Sequence, residues 1–292
     1  MKNKKTLLIL GASGFIGKNL IEILGKKYKI YSPSHKELDL MDSEAVNKYF
    51  KSHKIDVVID GAVVGGSRKE EHEENALNSN LRIFFNLINN KKYYKKMIHF
   101  GSGAEYDKRF PIAKVREEDF DKRVPVDDYG FSKYLISKYI EQSEDIVCLR
   151  IFGLFGKYED YRYRFISNAI CRNIFGLPIT MNQDVYFDYV YINDFARIVE
   201  YFIEYKAKHK SYNVGTGKRV NLKTIANKIN IAAKNKSKII IKKRGLNNEY
   251  TCDNSRLLSE IKGLEFKSID DSISELYKWY YENKLLINKN SL

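Results

Sequence analysis

The sequence predicts an α/β fold, a doubly wound parallel sheet followed by a smaller C-terminal lobe. Three observations carry this. A short apolar strand, Thr6–Leu10, enters a glycine-spaced turn that opens directly into a helix. Apolar strands then alternate with amphipathic helices through the first half of the 292 residues. After Arg150 the alternation thins, and Gly153, Gly156, Pro178 and the tyrosine-rich stretch 158–163 mark long loops of the kind that cover the carboxyl ends of strands.

Further strands are expected at 29–32, 57–59, 97–100 and Ile146–Ile151, with helices at 16–24, 43–51, 75–89 and 129–141. Asp42 stands where an N-cap belongs, just before the second helix. This βαβαβ order implies right-handed crossovers and a parallel sheet. Later come a strand at Ser211–Val214, a helix at Leu222–Ala232, the run IIIKK from Ile239, a helix at 272–280, and a polar tail 286–292 expected to fray. Residues 1–155 are expected to form the dinucleotide-binding domain. Residues 156–292 are mainly the substrate lobe, with segments near 185–215 returning to the first domain.

The chain is 43% hydrophobic, enough for a substantial core. No apolar run reaches the roughly 18 residues of a bilayer span, and the first residues lack the length and cleavage site of a signal peptide, so no membrane association is expected. Cys148, Cys171 and Cys252 have no metal-ligand spacing and leave at least one thiol unpaired, which fits a reducing cytoplasm. The formal charge of +14 is spread along the chain and no recognised module frames it, so nucleic acid is not an expected partner.

In GASGFIG, Gly11, Gly14 and Gly17 let the backbone approach a pyrophosphate where the free N–H groups of a helix N-terminus point, the signature of a Rossmann-type sheet. Where the second strand ends, a carboxylate often holds the ribose hydroxyls of NAD. Here Ser34, His35 and Lys36 occupy that region, and hydroxyl and basic groups suit a 2′-phosphate. NADPH is therefore preferred and NAD possible, while an ordinary solvated turn accounts equally for His35 and Lys36.

The chemical signal is YGFSK. Tyr129 and Lys133, four apart at the start of a helix, share one face. A phenol titrates near 10, and a nearby cation stabilises its anion, so such a tyrosine can exchange a proton with an alcohol or carbonyl oxygen. Ser102, directly after the fourth strand, lies at the carboxyl edge and can hydrogen-bond the same oxygen.

These motifs in this order resemble the extended short-chain dehydrogenase/reductases, specifically the NAD(P)-dependent epimerase/dehydratase enzymes acting on nucleotide-linked sugars, over almost the whole chain. The resemblance implies that Ser13, Phe15 and Ile16 contact phosphate, that Asp39 and Leu40 in ELDLMD meet adenine, and that Gly61, Ala62 and Val63 in DGAVVGG line the cofactor. It further implies cofactor-side roles for Asn80 and Ile151, the catalytic trio Ser102, Tyr129 and Lys133, and a bond from Lys133 to the nicotinamide ribose. Gly153 replaces an asparagine that touches the sugar, Phe187 an arginine, and Asn193 an acid; Arg219 or Arg256 can substitute for the lost arginine.

Within the family the chain is most similar to the GDP-fucose synthases, whose epimerising Cys and His positions read here as Ala104 and as Arg164 or Phe165. Alanine and phenylalanine carry no exchangeable proton and arginine stays charged, so hydride chemistry without epimerisation is expected. The implied function is NADPH-dependent C4 reduction of a nucleotide-linked 4-keto-6-deoxy sugar in surface-polysaccharide biosynthesis. A 4-epimerase with tightly held NAD and a 4-dehydrogenase stay open. A 4,6-dehydratase is disfavoured because Gly103 and Ala104 follow Ser102 and Glu105 is displaced. The family also implies a homodimer through a four-helix contact. Tyr158, Tyr161 and Tyr163 either stack on a base or pack their loop.

Overall fold

The structure, a computed structural model, describes residues 4–65 and 75–292. Gly66, the last residue of the DGAVVGG motif, lies outside the described residues, as do residues 1–3. In chain order the first half gives β1 (Thr6–Leu10), α1 (Phe15–Leu24), β2 (Lys29–Tyr31), α2 (Ser43–Ser52), β3 (Val57–Asp60), α3 (Ala76–Ile88), β4 (Lys96–Ser102), β5 (Ile112–Val115), α4 (Asp128–Glu141) and β6 (Ile146–Ile151). The second half gives β7 (Gly153–Phe155), α5 (Phe165–Ile174), β8 (Ile179–Asp184), β9 (Tyr186–Tyr191), α6 (Ile192–Glu204), β10 (Ser211–Val214), β11 (Arg219–Asn221), α7 (Leu222–Ala232), β12 (Ile239–Leu246), β13 (Tyr250–Cys252), α8 (Ser255–Glu260) and α9 (Ile269–Glu282).

The main sheet has the order β10-β6-β4-β3-β1-β2, and every pairing in it is parallel. Alternate residues face opposite layers: Leu7, Ile9, Val57, Ile59 and Phe100 meet the core with α1 and α6, whereas Leu8, Leu10, Val58 and Met97 meet that with α2, α3 and α4. The chain leaves β1 toward β2 and then crosses to β3 on its other side. The switch point therefore lies between the carboxyl ends of β1 and β3, where such sheets hold ligands. Asp42 accepts the N–H groups of Glu44 (2.9 Å) and Ala45 (3.1 Å) and caps α2.

A smaller C-terminal lobe covers the carboxyl end with a second sheet, β11-β9-β13-β5, extended by β7 on β9, and with the pair β12–β8. Two crossings tie it to the Rossmann sheet: β10 returns to pair with β6, and β5, from the first half, pairs with β13. These short strands carry mixed aromatic and polar residues, as in YFDYVY of β9, without the apolar run that marks a central strand.

Several lysines behind the positive charge have structural work. Lys96 Nζ donates to the carbonyls of Phe202 (2.9 Å), Ile203 (3.2 Å) and Tyr205 (2.8 Å), placing a cation at the C-terminal end of α6. The tail departs from the expected fraying. Ile287 is buried, Leu292 packs on the core, and the Asn288 N–H donates to Tyr161 Oη at 2.9 Å, so apolar anchors override the polar composition. Tyr161 and Tyr158 accordingly pack their loop: Tyr158 donates to Glu22 (3.1 Å) and meets Trp279 edge-on at 5.4 Å.

In the same loop Glu159 is buried and accepts the Ser167 hydroxyl at 2.5 Å. Desolvation pushes its carboxyl from the ordinary 4.5 up to about 7. An acid with a raised folded pKa binds more protons folded than unfolded, so its stabilisation is complete below about pH 4.5 and is lost as pH rises through about 7. Glu159→Gln, which keeps an acceptor for Ser167, is expected to stabilise the protein at pH 8 by on the order of 3 kcal/mol. Thermal melts from pH 5 to 8 check this: the variant's Tm should vary less with pH than the parent's.

Candidate active site

The glycine loop follows β1 at the switch point. Gly11 has φ +71°, and a Cβ there would fall 2.4 Å from the Gly61 carbonyl; one on Gly17 would fall 2.4 Å from the Gly11 carbonyl. Only glycine lets these strand ends and α1 close up. The N-cap of α1 is Gly14, which has no side chain to satisfy the first N–H groups of Phe15, Ile16 and Gly17, and Ser13 beside it is exposed. A cradle of this kind, with unfilled backbone donors at a helix N-terminus, fits a dinucleotide pyrophosphate.

After β3, Gly61, Ala62 and the exposed Val63 form the facing wall. Asn80 is buried and bonds wholly within the protein: Oδ1 accepts Val64 N–H (2.8 Å), while Nδ2 donates to the Val64 carbonyl (2.9 Å) and Ser132 Oγ (3.1 Å). It therefore clamps the 61–64 segment to α4. In the ELDLMD segment, Asp39 accepts Met41 N–H at 2.9 Å and Leu40 is half-buried. Ser34 is not a free hydroxyl. Its N–H and Oγ both donate to Glu37 Oε2, at 2.7 and 2.8 Å, and these bonds hold the Glu37 carboxyl below its usual range. His35 and Lys36 are exposed beside it, so a 2′-phosphate would meet the His35 ring and the Lys36 ammonium and compete with Glu37 for Ser34.

Ser102 ends β4, in register with Ile151 at the end of β6. The turn that follows is a reciprocal cap: Ser102 Oγ accepts Ala104 N–H at 3.1 Å and Glu105 Oε1 accepts Ser102 N–H at 2.9 Å. Glu105 Oε2 accepts from Arg150 Nε (2.7 Å) and Ser137 Oγ (2.6 Å), all within the interior. The carboxylate nearest Ser102 is thus locked beneath the site. Asp127 caps α4 by accepting Gly130 N–H at 2.9 Å, which fixes Tyr129 in the first helical turn. A Cβ on Gly130 would lie 3.1 Å from the Ala104 carbonyl, so the start of α4 rests directly on the Ser102 turn. One turn on, Lys133 is buried and donates to the Phe100 carbonyl at 2.7 Å.

On the lobe side, Ala104 is buried and offers no proton. Gly153 is buried against β9, where a Cβ would fall 2.4 Å from the Asp188 carbonyl, so strand packing explains its missing side chain and it presents no group to a sugar. Arg164 is exposed at the N-cap of α5. Phe187 packs against Tyr189 (5.4 Å) and Tyr250 (6.0 Å). Arg219 pairs with Glu249 at 2.9 Å, next in sequence to Tyr250, and stays half-exposed near this wall. Arg256 does not join it: the guanidinium is spent on Glu117, Glu118 and the Ser211 carbonyl, at the N-terminal end of β10 and away from the ligand edge. Tyr250 and the Glu105–Arg150 pair escaped sequence reasoning. Each becomes informative only through a neighbour distant in the chain.

A parallel sheet with a glycine cradle at its switch point, a serine at the adjacent strand end and a tyrosine and lysine on the helix that rests on that serine's turn define a dinucleotide-binding α/β protein of oxidoreductase or epimerase type. Residues 7–215 match the NAD dependent epimerase/dehydratase family, and the chain belongs to it. A GDP-L-colitose synthase of Yersinia pseudotuberculosis is 22% identical over 94% of this chain and 92% of its own length. Among solved structures, a GDP-L-fucose synthetase from Naegleria fowleri bound to NADP superposes with a TM-score of 0.83 at 16% identity, covering 99% of this chain and 98% of the other. A GDP-mannoheptose C4 reductase from Campylobacter jejuni with NADP bound gives 0.79 at 22% identity, covering 96% and 99%.

Proposed function

We propose that this protein reduces the C4 keto group of a nucleotide-linked 4-keto-6-deoxy sugar with NADPH, in surface-polysaccharide biosynthesis. The observation that carries the reading is the Ser102, Tyr129 and Lys133 set together with the loss of the expected acid/base partners among the described residues: Ala104 has no proton to give, and Glu105 is held by Arg150 and Ser137. NADPH, when bound, supplies the hydride that reaches the sugar C4. Tyr129 gives its proton to the forming alkoxide, Ser102 aligns that oxygen, and Lys133 biases the phenol toward release and holds the nicotinamide ribose. The product is a 4-hydroxy sugar. The GDP sugars for which the three relatives are named support a GDP carrier, and the NADP in two of them supports NADPH.

Incubation with NADPH or NADH and a panel of GDP-, CDP- and dTDP-linked 4-keto-6-deoxy hexoses and heptoses tests this. NADPH loss at 340 nm with a GDP sugar is expected. Silence across the panel refutes the reading. Turnover without added cofactor, on NAD retained through purification, identifies a 4-epimerase instead, and reduction of added NAD by a 4-hydroxy sugar a 4-dehydrogenase.

The working division at residue 155 assigns the cofactor to residues 1–155 and most sugar contacts to 156–292. A homodimer through the packed helices α3 and α4 is part of the same proposal. Phe85 and Tyr139, with rings 5.4 Å apart, expose 40% and 39% of their surface on that face, where an apolar pair otherwise meets water. Light scattering is expected to give twice the chain mass of 34.2 kDa, and Phe85→Glu with Tyr139→Glu to halve it.

A further inference from the structure

Just beyond the Ser102 turn the chain bends sharply. Asp107 has φ +70°, a left-handed conformation that strains a residue carrying a Cβ and persists only where the surroundings enforce it. Its buried carboxylate does so by accepting a fork from Arg109, with Nε to Oδ1 at 2.9 Å and Nη2 to Oδ2 at 2.7 Å. Asp107 and Arg109 are thereby spent on each other. Lys108, between them, is left to reach the start of α4. Its Nζ stands over the Tyr129 ring, 5.9 Å from the centroid, and 3.4 Å from Asp127 Oδ1. That oxygen already accepts the Gly130 N–H, and the ion pair is loose and half-exposed, so it binds the lysine weakly. Among the described residues the ammonium donates no hydrogen bond, which leaves its three protons free for an anionic ligand beside Tyr129.

A nucleotide-linked sugar brings such an anion. Its diphosphate sits on C1, one sugar ring away from the C4 oxygen that Tyr129 serves. The lobe supplies little to meet it: Phe187 has no charge, Arg219 is paired with Glu249 at 2.9 Å, and Arg256 is spent at the other end of β10. We propose that Lys108 is a substrate-binding residue whose ammonium holds the diphosphate of the nucleotide sugar beside Tyr129, replacing from the β4 turn the arginine that Phe187 displaces in the lobe. The proposal rests on the reductase reading and deepens it by naming the group that fixes the carrier. It also accounts for the strained backbone at Asp107, which sets where Lys108 emerges.

Lys108→Met keeps the stem of the side chain and removes the charge. With the GDP-linked 4-keto sugar, KM is expected to rise about 10- to 100-fold, the weight of a lost hydrogen bond to a charged group. The kcat and the dissociation constant for NADPH should stay within about twofold, because the contact is made equally in ground and transition states. Lys108→Arg retains a cation and should recover most of the loss. Calorimetric titration of the NADP-loaded protein with GDP, CDP and dTDP supplies a readout that needs no turnover: the diphosphate that binds most tightly is expected to weaken by the same factor in Lys108→Met. Failure of the wild type to bind any of the three, or an unchanged affinity in the variant, overturns the proposal. So does a loss confined to kcat, which would mean that Lys108 acts on Tyr129 and not on the substrate. Weakened diphosphate binding in the variant, with the wild type silent on the whole sugar panel, would support the anion site while refuting the reductase reading beneath it.

Discussion

Tyr129→Phe is expected to lower turnover by about 10³-fold while leaving NADPH binding unchanged. The substitution removes one oxygen. The ring stays in the first turn of α4, held by the Asp127 cap on Gly130 and by the seat of Gly130 on the Ala104 carbonyl, so the cofactor wall is undisturbed. Lys133 keeps its bond to the Phe100 carbonyl, and Ser102 keeps its cap. What is lost is the donor that neutralises the alkoxide as it forms. Steady-state kinetics at 340 nm and quenching of NADPH fluorescence separate the two effects. A variant that binds NADPH normally and turns over within tenfold of the parent would show that the proton comes from another group.

Arg150→Met is expected to cost about 3–5 kcal/mol of stability, because it leaves the Glu105 carboxylate buried without its partner. Both side chains have zero exposure, and the Nε to Oε2 distance is 2.7 Å. Guanidinium stacking over Phe120, at 4.1 Å from the ring, is lost too. For a chain of this length the Tm should drop by roughly 10 °C. Adding Glu105→Leu removes the stranded charge and should restore much of the stability. It should not restore activity, since Glu105 Oε1 is also the acceptor for Ser102 N–H and holds the reactive turn. Calorimetry and kinetics on the single and double variants check both halves. Recovery of stability and activity together would mean that the Ser102 turn needs no carboxylate.

The two results bear on how far the chain could be read. The strand-glycine-helix start, the parallel alternation and the Tyr129–Lys133 spacing were legible because each is local: a period of two or 3.6 residues, or a turn only glycine can make, is written in adjacent positions. The Ser34 hydroxyl was read as a group suited to a 2′-phosphate because nothing in SPSHKE says that Glu37 turns back onto it. The polar tail was read as frayed because Ile287 and Leu292 gain their anchors from the folded core. Arg219 and Arg256 were equivalent on paper, and the fold separates them, one at the lobe sheet near Tyr250 and one at the opposite end of β10.

By itself the sequence determined the sheet class, the cradle after β1 and the residue types of the reactive trio, all set by backbone conformation and short-range spacing. Tertiary structure alone decided that Glu105 is a buried partner of Arg150 and that Tyr250 overhangs Gly103. The reason is distance along the chain. An ion pair between residues 45 positions apart depends on which strands become neighbours, and that is settled only when the sheets pack.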